Sequence, residues 1–288
     1  MRIDLHTHST ASDGLLPPAR LVMAAREHGV TILALTDHDT TDGLAEAIAA
    51  GRTYGVEVIP GVEINTDVDA YEVHILGYFI DLADPAFQAF LRRMRDGRLR
   101  RAEEMVRKLA ALGVTVEWAR VQRIAAGAAV GRPHIARALV EAGRVDTPQE
   151  AFERYLGRNG PAYVARLKLA PEEAVEVIAR HGGVPVLAHP GWEASGPVID
   201  RVPKLVAHGL AGIEVYYPDH TPEMLAAYLA MVRRYGLVAT GGTDFHGGAF
   251  ATRVQLGSVP VPPEVVPALR ARWAGRRPGV SARDARLS

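Results

Sequence analysis

The chain has 288 residues, of which 48% are hydrophobic and 23% charged, a composition typical of a folded globular protein. It contains no cysteine, which excludes disulfide bonds, thiolate metal sites, iron–sulfur clusters and cysteine nucleophiles. Lys+Arg and Asp+Glu each total 33, so no overall field draws the chain to nucleic acid or to a membrane. We find no signal-type or bilayer-spanning apolar segment and expect a cytoplasmic protein with no membrane association.

Short apolar runs alternate with amphipathic stretches, which is the pattern of parallel βαβ units. Strands are predicted at residues 2–5, 32–36, 56–60, 72–76, 184–188, 212–216 and 237–240. Helices are predicted at residues 18–28, 44–54, 171–181, 198–208 and 222–235, with a short last strand at 254–256 and a closing helix at 263–273. The pattern indicates an α/β fold, either a barrel or a large open sheet, and periodicity alone does not decide between them.

The alternation is interrupted twice. Residues 65–70 are too few for a crossover helix, so the strand at 72–76 is predicted to form a hairpin with the strand before it. Residues 84–160 show no strand pattern and contain predicted helices at 85–112, 133–142 and 148–156. We therefore expect a barrel or sheet built from residues 1–83 and 161–288, with 84–160 as a helical insertion.

Histidines and carboxylates follow the ends of the predicted strands. His6 and His8 follow the first strand, and because residues i and i+2 of a strand face the same side, their imidazoles converge. In α/β barrels the loops at the carboxyl ends of the strands build the active site. Further candidate ligands at this end are Asp13, His38, Glu63, His189, Asp244 and His246, and a hairpin carries His74 to the same place.

This ligand set consists of six histidines and three carboxylates without a thiolate. Such a mixture suits Mn²⁺, Zn²⁺ or Fe²⁺ better than Mg²⁺ or Ca²⁺, which prefer oxygen ligands only. The candidates exceed what one ion needs, so two or three ions are implied, with Glu63 as the bridge. Clustered ions activate a water molecule and stabilise the attacking and leaving oxygens of a phosphoryl displacement.

The same residues occur in motifs that resemble those of the PHP (polymerase and histidinol phosphatase) domain. The motifs are His6-Thr7-His8, Asp13-Gly14, Thr36-Asp37-His38-Asp39, Gly61-Val62-Glu63, His74, Ala188-His189-Pro190 and Thr243-Asp244-Phe245-His246. Within the insertion, Gly131-Arg132-Pro133-His134 looks most like the branch that includes the 3′,5′-nucleotide bisphosphate phosphatases and the related 5′→3′ exoribonucleases.

This resemblance implies a distorted (β/α)7 barrel with a helical insertion domain and a centre for up to three ions, Mn²⁺ in the first place. The implied ligand sets are His6, His8, Glu63 and Asp244; Glu63, His74 and His189; and Asp13, His38 and His246. Every ligand position of the pattern is filled, so the resemblance implies a catalytic member of the family.

Outside the ligands, Arg132 and His134 flank a proline at the first turn of a predicted helix, where free N–H groups suit a phosphate. We expect both to bind substrate and to take part in catalysis, and Lys168 is a further candidate phosphate contact. Asp39 is either the general acid for the leaving oxygen or a residue that orients a ligand. Asp37 is expected to orient rather than react.

Two other features carry weaker expectations. Eight cationic residues between 92 and 108 are interspersed with acidic ones at helical spacing, which favours a solvated, paired face over a nucleic-acid track. No aromatic pair stands out in the sequence as a platform for a nucleobase.

The leading functional hypothesis is a phosphoesterase in which a metal-activated hydroxide removes the 3′-phosphate of a 3′,5′-bisphosphate nucleotide, giving a nucleoside 5′-monophosphate. The alternative is stepwise 5′→3′ degradation of 5′-phosphorylated RNA or short DNA or RNA oligonucleotides. Histidinol phosphate fits less well because of the insertion. An amidohydrolase acting on C–N bonds is disfavoured. Many binuclear amidohydrolases bridge their two ions with a carboxylated lysine at a strand end, and none of the three lysines here lies at one. A non-catalytic module is disfavoured by the complete ligand set, and no obligate protein partner is inferred.

Overall fold

The computed structural model describes residues 1–68, 71–126, 130–165, 169–191, 198–247 and 254–276. The strands are β1 (Arg2–Asp4), β2 (Val30–Leu35), β3 (Glu57–Val68), β4 (Tyr71–Tyr78), β5 (Val184–Leu187), β6 (Gly212–Tyr216) and β7 (Val238–Gly241). The helices are α1 (Pro18–Glu27), α2 (Leu44–Tyr54), α3 (Pro85–Ala111), α4 (Trp118–Ala125), α5 (Arg132–Glu141), α6 (Pro148–Ala151), α7 (Pro171–Arg180), α8 (Val202–Ala207), α9 (Pro222–Tyr235) and α10 (Val265–Ala274). Within these ranges no helix is both long and apolar enough to cross a membrane.

The seven strands form one sheet in chain order from β1 to β7. Strands β1 to β3 are parallel, as are β5 to β7, whereas β4 runs antiparallel to both of its neighbours. Thr7, after β1, pairs with Phe245, after β7, and the Leu5 amide donates to the Gly241 carbonyl at 3.3 Å. The sheet therefore closes into the distorted seven-stranded barrel, and the predicted hairpin is confirmed as its distortion.

Strand β3 is longer than the predicted strand at 56–60 because it changes partner. Its first part pairs in parallel with β2 as far as Pro60, and from Gly61 onward it pairs antiparallel with β4. A proline lacks the N–H that a ladder needs, so the sequence alone places a strand end at Pro60. The extension places Glu63 within the strand rather than in a loop.

A core cluster fills the barrel with side chains from most of its strands, including Ile3, Ile32 and Val184 near the strand beginnings. Helix α10 packs against this cluster through Val265 and Leu269. Since these contacts lie toward the amino ends of the parallel strands, α10 leaves their carboxyl ends open. The remaining helices of the barrel pack outside the sheet in two further clusters.

Helix α3 connects the barrel to a second core. It has 27 residues and is therefore about 40 Å long at 1.5 Å per residue. Phe87 and Leu91 in its first half pack against the barrel, whereas Met105 and Leu109 in its second half belong to a separate cluster with α4, α5 and α6. All regular elements described between residues 85 and 156 are helical.

The predicted short strand at 254–256 is wrong. Leu256 is buried in the core formed by α1 and α2, and the Gly257 amide donates to the Asp4 carboxylate at 2.9 Å. A side chain, rather than a sheet ladder, satisfies the backbone here. The closing helix is present, but it begins at Val265 instead of residue 263.

Candidate metal and active site

The carboxyl ends of the strands and the β3–β4 hairpin bring the nine predicted ligand residues together. His38, after β2, bridges to Glu63 in β3, and the antiparallel register sets His74 opposite Asn65, two residues further along β3. The other members follow β1, β5 and β7. The group, which we call the ligand cluster, consists of His6, His8, Asp13, His38, Glu63, His74, His189, Asp244 and His246.

Glu63 is the centre of the ligand cluster. Its carboxylate is 1% exposed, and each of its two oxygens faces a different set of imidazoles. Oε2 lies 3.3, 3.2 and 3.0 Å from ring nitrogens of His6, His8 and His38. Oε1 lies 2.9 and 3.1 Å from ring nitrogens of His74 and His189. A carboxylate with this arrangement is suited to bridge cations on either side.

Three overlapping sets in the cluster have donor atoms within 4.8 Å of one another, as a metal site requires. The sets are His6, His8, Glu63 and Asp244; His38, Glu63 and His74; and His8, Asp13, His38 and His246. His189 Nε2 lies 3.3 Å from His74 Nδ1 and so adjoins the second set. His8, His38 and Glu63 each belong to two sets, which favours neighbouring ions over isolated ones.

Several buried nitrogen and oxygen atoms of the cluster that could bind a metal form no hydrogen bond with any described residue. They are His6 Nε2, His8 Nε2, Asp13 Oδ1, Glu63 Oε2 and Asp244 Oδ1. Buried polar atoms are normally satisfied, and an unsatisfied group in a native structure calls for an ion or water. Imidazole nitrogens and carboxylate oxygens together are transition-metal ligands, so the residues present fit bound metal ions.

The electrostatics of the cluster favour binding of cations. Burial opposes protonation of His8, but Asp244 and Glu63 outweigh it and raise its pKa to about 10. Burial likewise acts to raise the pKa of Glu63, but the surrounding imidazoles, led by His38, hold it well below the usual range. A concentration of buried carboxylates that stabilises protons on histidine will also stabilise a metal ion in their place.

Supporting carboxylates hold the ligands in position. Glu214 in β6 is fully buried, and both of its oxygens lie 3.1 Å from His6 Nδ1, while its Oε2 accepts from the His189 amide at 2.8 Å. Asp37 accepts from the amide and hydroxyl of Ser9, consistent with an orienting role. Sequence reasoning missed Glu214, although a carboxylate inside an apolar strand is a signal for it.

Asp39 is buried beside the ligand cluster with a left-handed backbone, φ 54°. Its Oδ1 accepts from the Asn65 amide at 3.1 Å, and its Oδ2 accepts from Asn65 Nδ2 at 2.9 Å. Arg98 Nη1 donates to the same Oδ2 at 2.9 Å. Three donors therefore fix the position of the Asp39 carboxylate, and Asn65 Nδ2 also lies 3.2 Å from His38 Nδ1. These contacts connect Asp39 to His38 through Asn65, as the orienting role requires.

The arginine-rich helix is not only a solvated face, so that expectation is wrong for three of its residues. Arg95 donates to Thr40 Oγ1 at 2.8 Å, Arg98 pairs with Asp39, and Arg101 donates to the Val164 carbonyl at 2.6 Å. These residues are spaced by three on α3: Arg95 and Arg98 contact the barrel loop after β2, whereas Arg101 contacts Val164, which packs against the helical core. By contrast, Arg107 on the same helix is 71% exposed in its side chain.

Arg132 begins α5 and forms an ion pair with Glu72 of β4. Its Nη2 lies 2.7 Å from both carboxylate oxygens. His134 is 3% exposed, and its Nδ1 accepts from the Gly131 amide at 3.0 Å. Burial lowers the pKa of His134, so the ring is neutral and carries its proton on Nε2. Lys168 lies outside the described residues.

A polar cavity of about 240 Å³ adjoins the cluster. Ligand-cluster residues such as His38, His74 and His189 line one side. Arg98, Arg101 and Arg132 line it from the helical segment. Three guanidinium groups and the ligand cluster therefore line the same space, which is of small-molecule size.

Comparison with known proteins agrees with this geometry. The PHP domain family matches residues 4–116. The chain is 38% identical to the 3′,5′-nucleoside bisphosphate phosphatase of Chromobacterium violaceum, over 85% of this chain and 87% of that protein. It is also 38% identical to the 5′-3′ exoribonuclease Rnm of Salmonella typhimurium, over 84% of each.

Similarity extends to the three-dimensional structure. A crystal structure from Bifidobacterium adolescentis, of a protein provisionally described as a metal-dependent phosphoesterase, has a TM-score of 0.86 to this chain. The two chains are 30% identical, and the match covers 98% of each. The barrel and the helical segment are thus both shared.

Proposed function

This chain belongs to the PHP domain family of metal-dependent phosphoesterases, and from this premise we propose that it removes the 3′-phosphate of 3′,5′-bisphosphate nucleotides to give nucleoside 5′-monophosphates. The observation that carries the proposal is the polar cavity, because the ligand cluster faces three arginines across it. A substrate with two phosphates fits such a cavity, with the reacting phosphate at the cluster and the other at the arginines. The 38% identical relative from C. violaceum is described with this activity.

Two or three divalent ions are proposed as cofactors, Mn²⁺ in the first place and Zn²⁺ or Fe²⁺ as alternatives. The proposed ligand sets are His6, His8, Glu63 and Asp244; Glu63, His74 and His189; and Asp13, His38 and His246. Such ions supply activation of water and compensation of charge at phosphorus. Glu214 fixes the ring of His6, and Asp39 with Asn65 fixes His38, so that these nitrogens stay directed at the centre.

The arginines and His134 are proposed to bind the phosphate that does not react. Glu72 fixes the guanidinium of Arg132 before substrate arrives, which lowers the ordering cost of binding. His134 offers an N–H donor from its neutral ring, and Lys168 remains a further candidate contact. The positive charge of these arginines also compensates the negative charge that grows on the phosphoryl oxygens in the transition state.

Residues 84–160 are proposed to act as an insertion domain that covers a barrel made of 1–83 and 161–288. Its contribution to the site is Arg98, Arg101 and Arg132. With this division, the three arginines and the proposed metal ligands come from different parts of the chain. The substrate is proposed to be a small nucleotide in the cytoplasm, and the proposal requires neither a membrane nor a protein partner.

Stepwise 5′→3′ degradation of 5′-phosphorylated RNA or short oligonucleotides is the second candidate. It is favoured by the equal identity, 38%, to a relative described as a 5′-3′ exoribonuclease. Both substrates present a scissile phosphate next to a 5′-phosphorylated nucleotide, so the same cavity serves either reaction. They differ in whether a further nucleotide extends beyond the scissile phosphate.

The test is phosphate release from adenosine 3′,5′-bisphosphate by chelated protein reloaded with Mn²⁺, Zn²⁺ or Fe²⁺, beside a 5′-phosphorylated RNA oligomer with sized products. We expect AMP and phosphate from the bisphosphate, and loss of activity in Glu63→Gln. Glu57→Gln is the matched control, since Glu57 lies on the same strand but pairs at the surface with Arg270.

Mononucleotide release with little bisphosphate turnover would favour the nuclease. Inactivity on both substrates, with ions confirmed bound, would contradict the nucleotide assignment and return attention to amide bonds.

A further inference from the structure

A second pocket opens beside the ligand cluster, with a volume of about 320 Å³. We call it the aromatic pocket, since Phe152, Tyr217 and Phe245 line it. Leu15, Pro133 and Pro148 complete its apolar wall. Its volume falls within the range of about 300–1,000 Å³ found for small-molecule sites.

The aromatic pocket and the polar cavity share a wall. Pro133, Phe152 and Tyr217 line both spaces, as do Asp13, Asp244 and His246 of the ligand cluster. The pocket therefore adjoins the position at which the proposed function sets the reacting phosphate. When the reacting phosphate occupies that position, the rest of the substrate extends into one of these two spaces.

Phe152 is placed at this wall by an unusual backbone. It begins a π-helical turn, Phe152–Leu156, that follows α6 directly. Such turns are rare and occur frequently at functional sites. Phe152 is only partly buried although the insertion core packs against it, and its ring lies 5.5 Å from the guanidinium of Arg132. The ring thus borders both the proposed phosphate contacts and the aromatic pocket.

Tyr217 and Phe245 enter the pocket from the loops after β6 and β7. The Tyr217 hydroxyl donates to Asp244 Oδ2 at 3.1 Å, and its ring lies 5.5 Å from that of His189 and 5.2 Å from that of His220. Its ring orientation is therefore fixed before ligand binds.

We infer that the aromatic pocket binds the nucleobase of the substrate by stacking, an inference that rests on the proposed function. Every base has a flat π-face, so aromatic side chains bind bases with little sequence preference. Three rings from separate segments, next to a polar cavity proposed to hold two phosphates, match a nucleotide better than a simple phosphate ester. Arg137 and Asp219, which also line the pocket, offer a donor and an acceptor to a base edge.

The test compares adenosine 3′,5′-bisphosphate with the abasic analogue 1,2-dideoxyribose 3,5-bisphosphate. Wild-type protein is expected to prefer the nucleotide by about tenfold or more in kcat/KM. Phe152→Ala should lower kcat/KM for the nucleotide by about tenfold and leave the abasic substrate within about twofold. Phe152→Trp should keep the preference, because it retains a stacking ring.

Tyr155→Ala is the matched control. Tyr155 lies in the same π-helical turn and packs against the same insertion core, but its ring contacts Arg154. The variant should preserve the ratio between the two substrates. Because Phe152 also contacts Arg132, an equal loss on both substrates in Phe152→Ala would indicate a phosphate or folding defect and would overturn the inference. Equal use of both substrates by the wild type would overturn it as well.

A binding measurement separates this inference from the proposed function. In the zinc-loaded protein, saturation-transfer NMR should show contacts to the base protons of AMP, which Phe152→Ala should lose and Tyr155→Ala should keep. If that pattern appears without any phosphate release from the bisphosphate, the proposed function fails and the base pocket stands. Absence of base contacts in the wild type overturns the pocket, whatever the hydrolysis assay shows.

Discussion

Arg98 Nη1 lies 2.9 Å from Asp39 Oδ2 and joins α3 to the loop that carries His38. The two residues are 59 positions apart in the chain, and their side chains are 14% and 0% exposed. Asp39 in turn contacts Asn65, which adjoins His38. One ion pair therefore connects the helical segment, the cavity wall and a predicted metal ligand.

Arg98→Ala should destabilise the protein and reduce activity. It leaves the buried Asp39 carboxylate without its counter-charge, a change that costs about 3 kcal/mol or more. Chemical denaturation of the metal-free protein measures this loss. We also expect kcat/KM to fall by about 10–100-fold, because the cavity loses a cation and His38 loses its support.

Arg107→Ala tests whether any arginine on α3 behaves in this way. Arg107 pairs with Glu104 at the surface, and exposed pairs contribute about 0.5 kcal/mol or less. The variant should therefore have the same unfolding free energy and the same kcat/KM as the wild type. Equal losses in the two variants would contradict a specific role for the Arg98–Asp39 pair.

Glu214→Gln should weaken metal binding without unfolding the barrel. The amide keeps the size of the carboxylate but removes the charge beside His6 Nδ1. Loss of a partner that orients a ligand typically costs about 10–100-fold in metal affinity. Titration of the chelated protein with Mn²⁺ measures it, with Glu141→Gln, which changes a surface pair with Arg120, as the control. Unchanged affinity in Glu214→Gln would show that His6 needs no such support.

Metal affinity should rise with pH. In the metal-free protein the pKa of His8 is raised to about 10, so a proton occupies this ring at neutral pH and must leave before the nitrogen binds an ion. Each displaced proton contributes about a tenfold gain in apparent affinity per pH unit. Calorimetric titrations with Mn²⁺ at pH 6, 7 and 8, in buffers of different ionisation enthalpy, count the released protons. An affinity that does not change with pH would refute displacement.

Asp84→Ala should destabilise the start of α3 in a pH-dependent manner. Asp84 Oδ1 accepts from the amides of Ala86 and Phe87, and its hydrogen bond with His181 lowers its pKa from 3.8. The stabilisation that the ionised Asp84 carboxylate gives to the folded state is therefore fully present above pH 3.8, and it is lost as the pH falls through the lowered pKa of Asp84. The variant should lose about 1 kcal/mol of unfolding free energy at pH 6.

Below pH 3.8, denaturation curves should show a smaller difference in unfolding free energy between the wild type and Asp84→Ala. Asp81→Ala serves as the comparison, because Asp81 accepts from the Ala83 amide in the preceding turn. A gap that widens toward acid pH would reverse the sign argued for Asp84.

Local sequence rules were enough to predict the α/β strand order and the gathering of the candidate ligands, whereas the barrel itself was implied only by the resemblance to the PHP domain. The carboxyl ends of parallel strands meet at one edge, so histidines and carboxylates placed after apolar runs are brought together however the helices pack. The short connection between β3 and β4 predicted the hairpin, and with it the position of His74. Some element ends were displaced, as at Pro60, where a proline resembles a strand end; in addition, the strand predicted at 254–256 is not formed, and helix α4 was not predicted.

The tertiary structure alone decided which side chains support and surround that cluster. Glu214 meets His6 across 208 positions, and the rotation of α3 about its axis, which helical spacing does not encode, turns Arg98 rather than Arg107 toward Asp39. Phe152, Tyr217 and Phe245 share a pocket only because the helical segment that carries Phe152 lies beside the loops after β6 and β7. Spacing along the chain determines which groups a strand end presents, whereas contacts between distant segments depend on packing of the whole core.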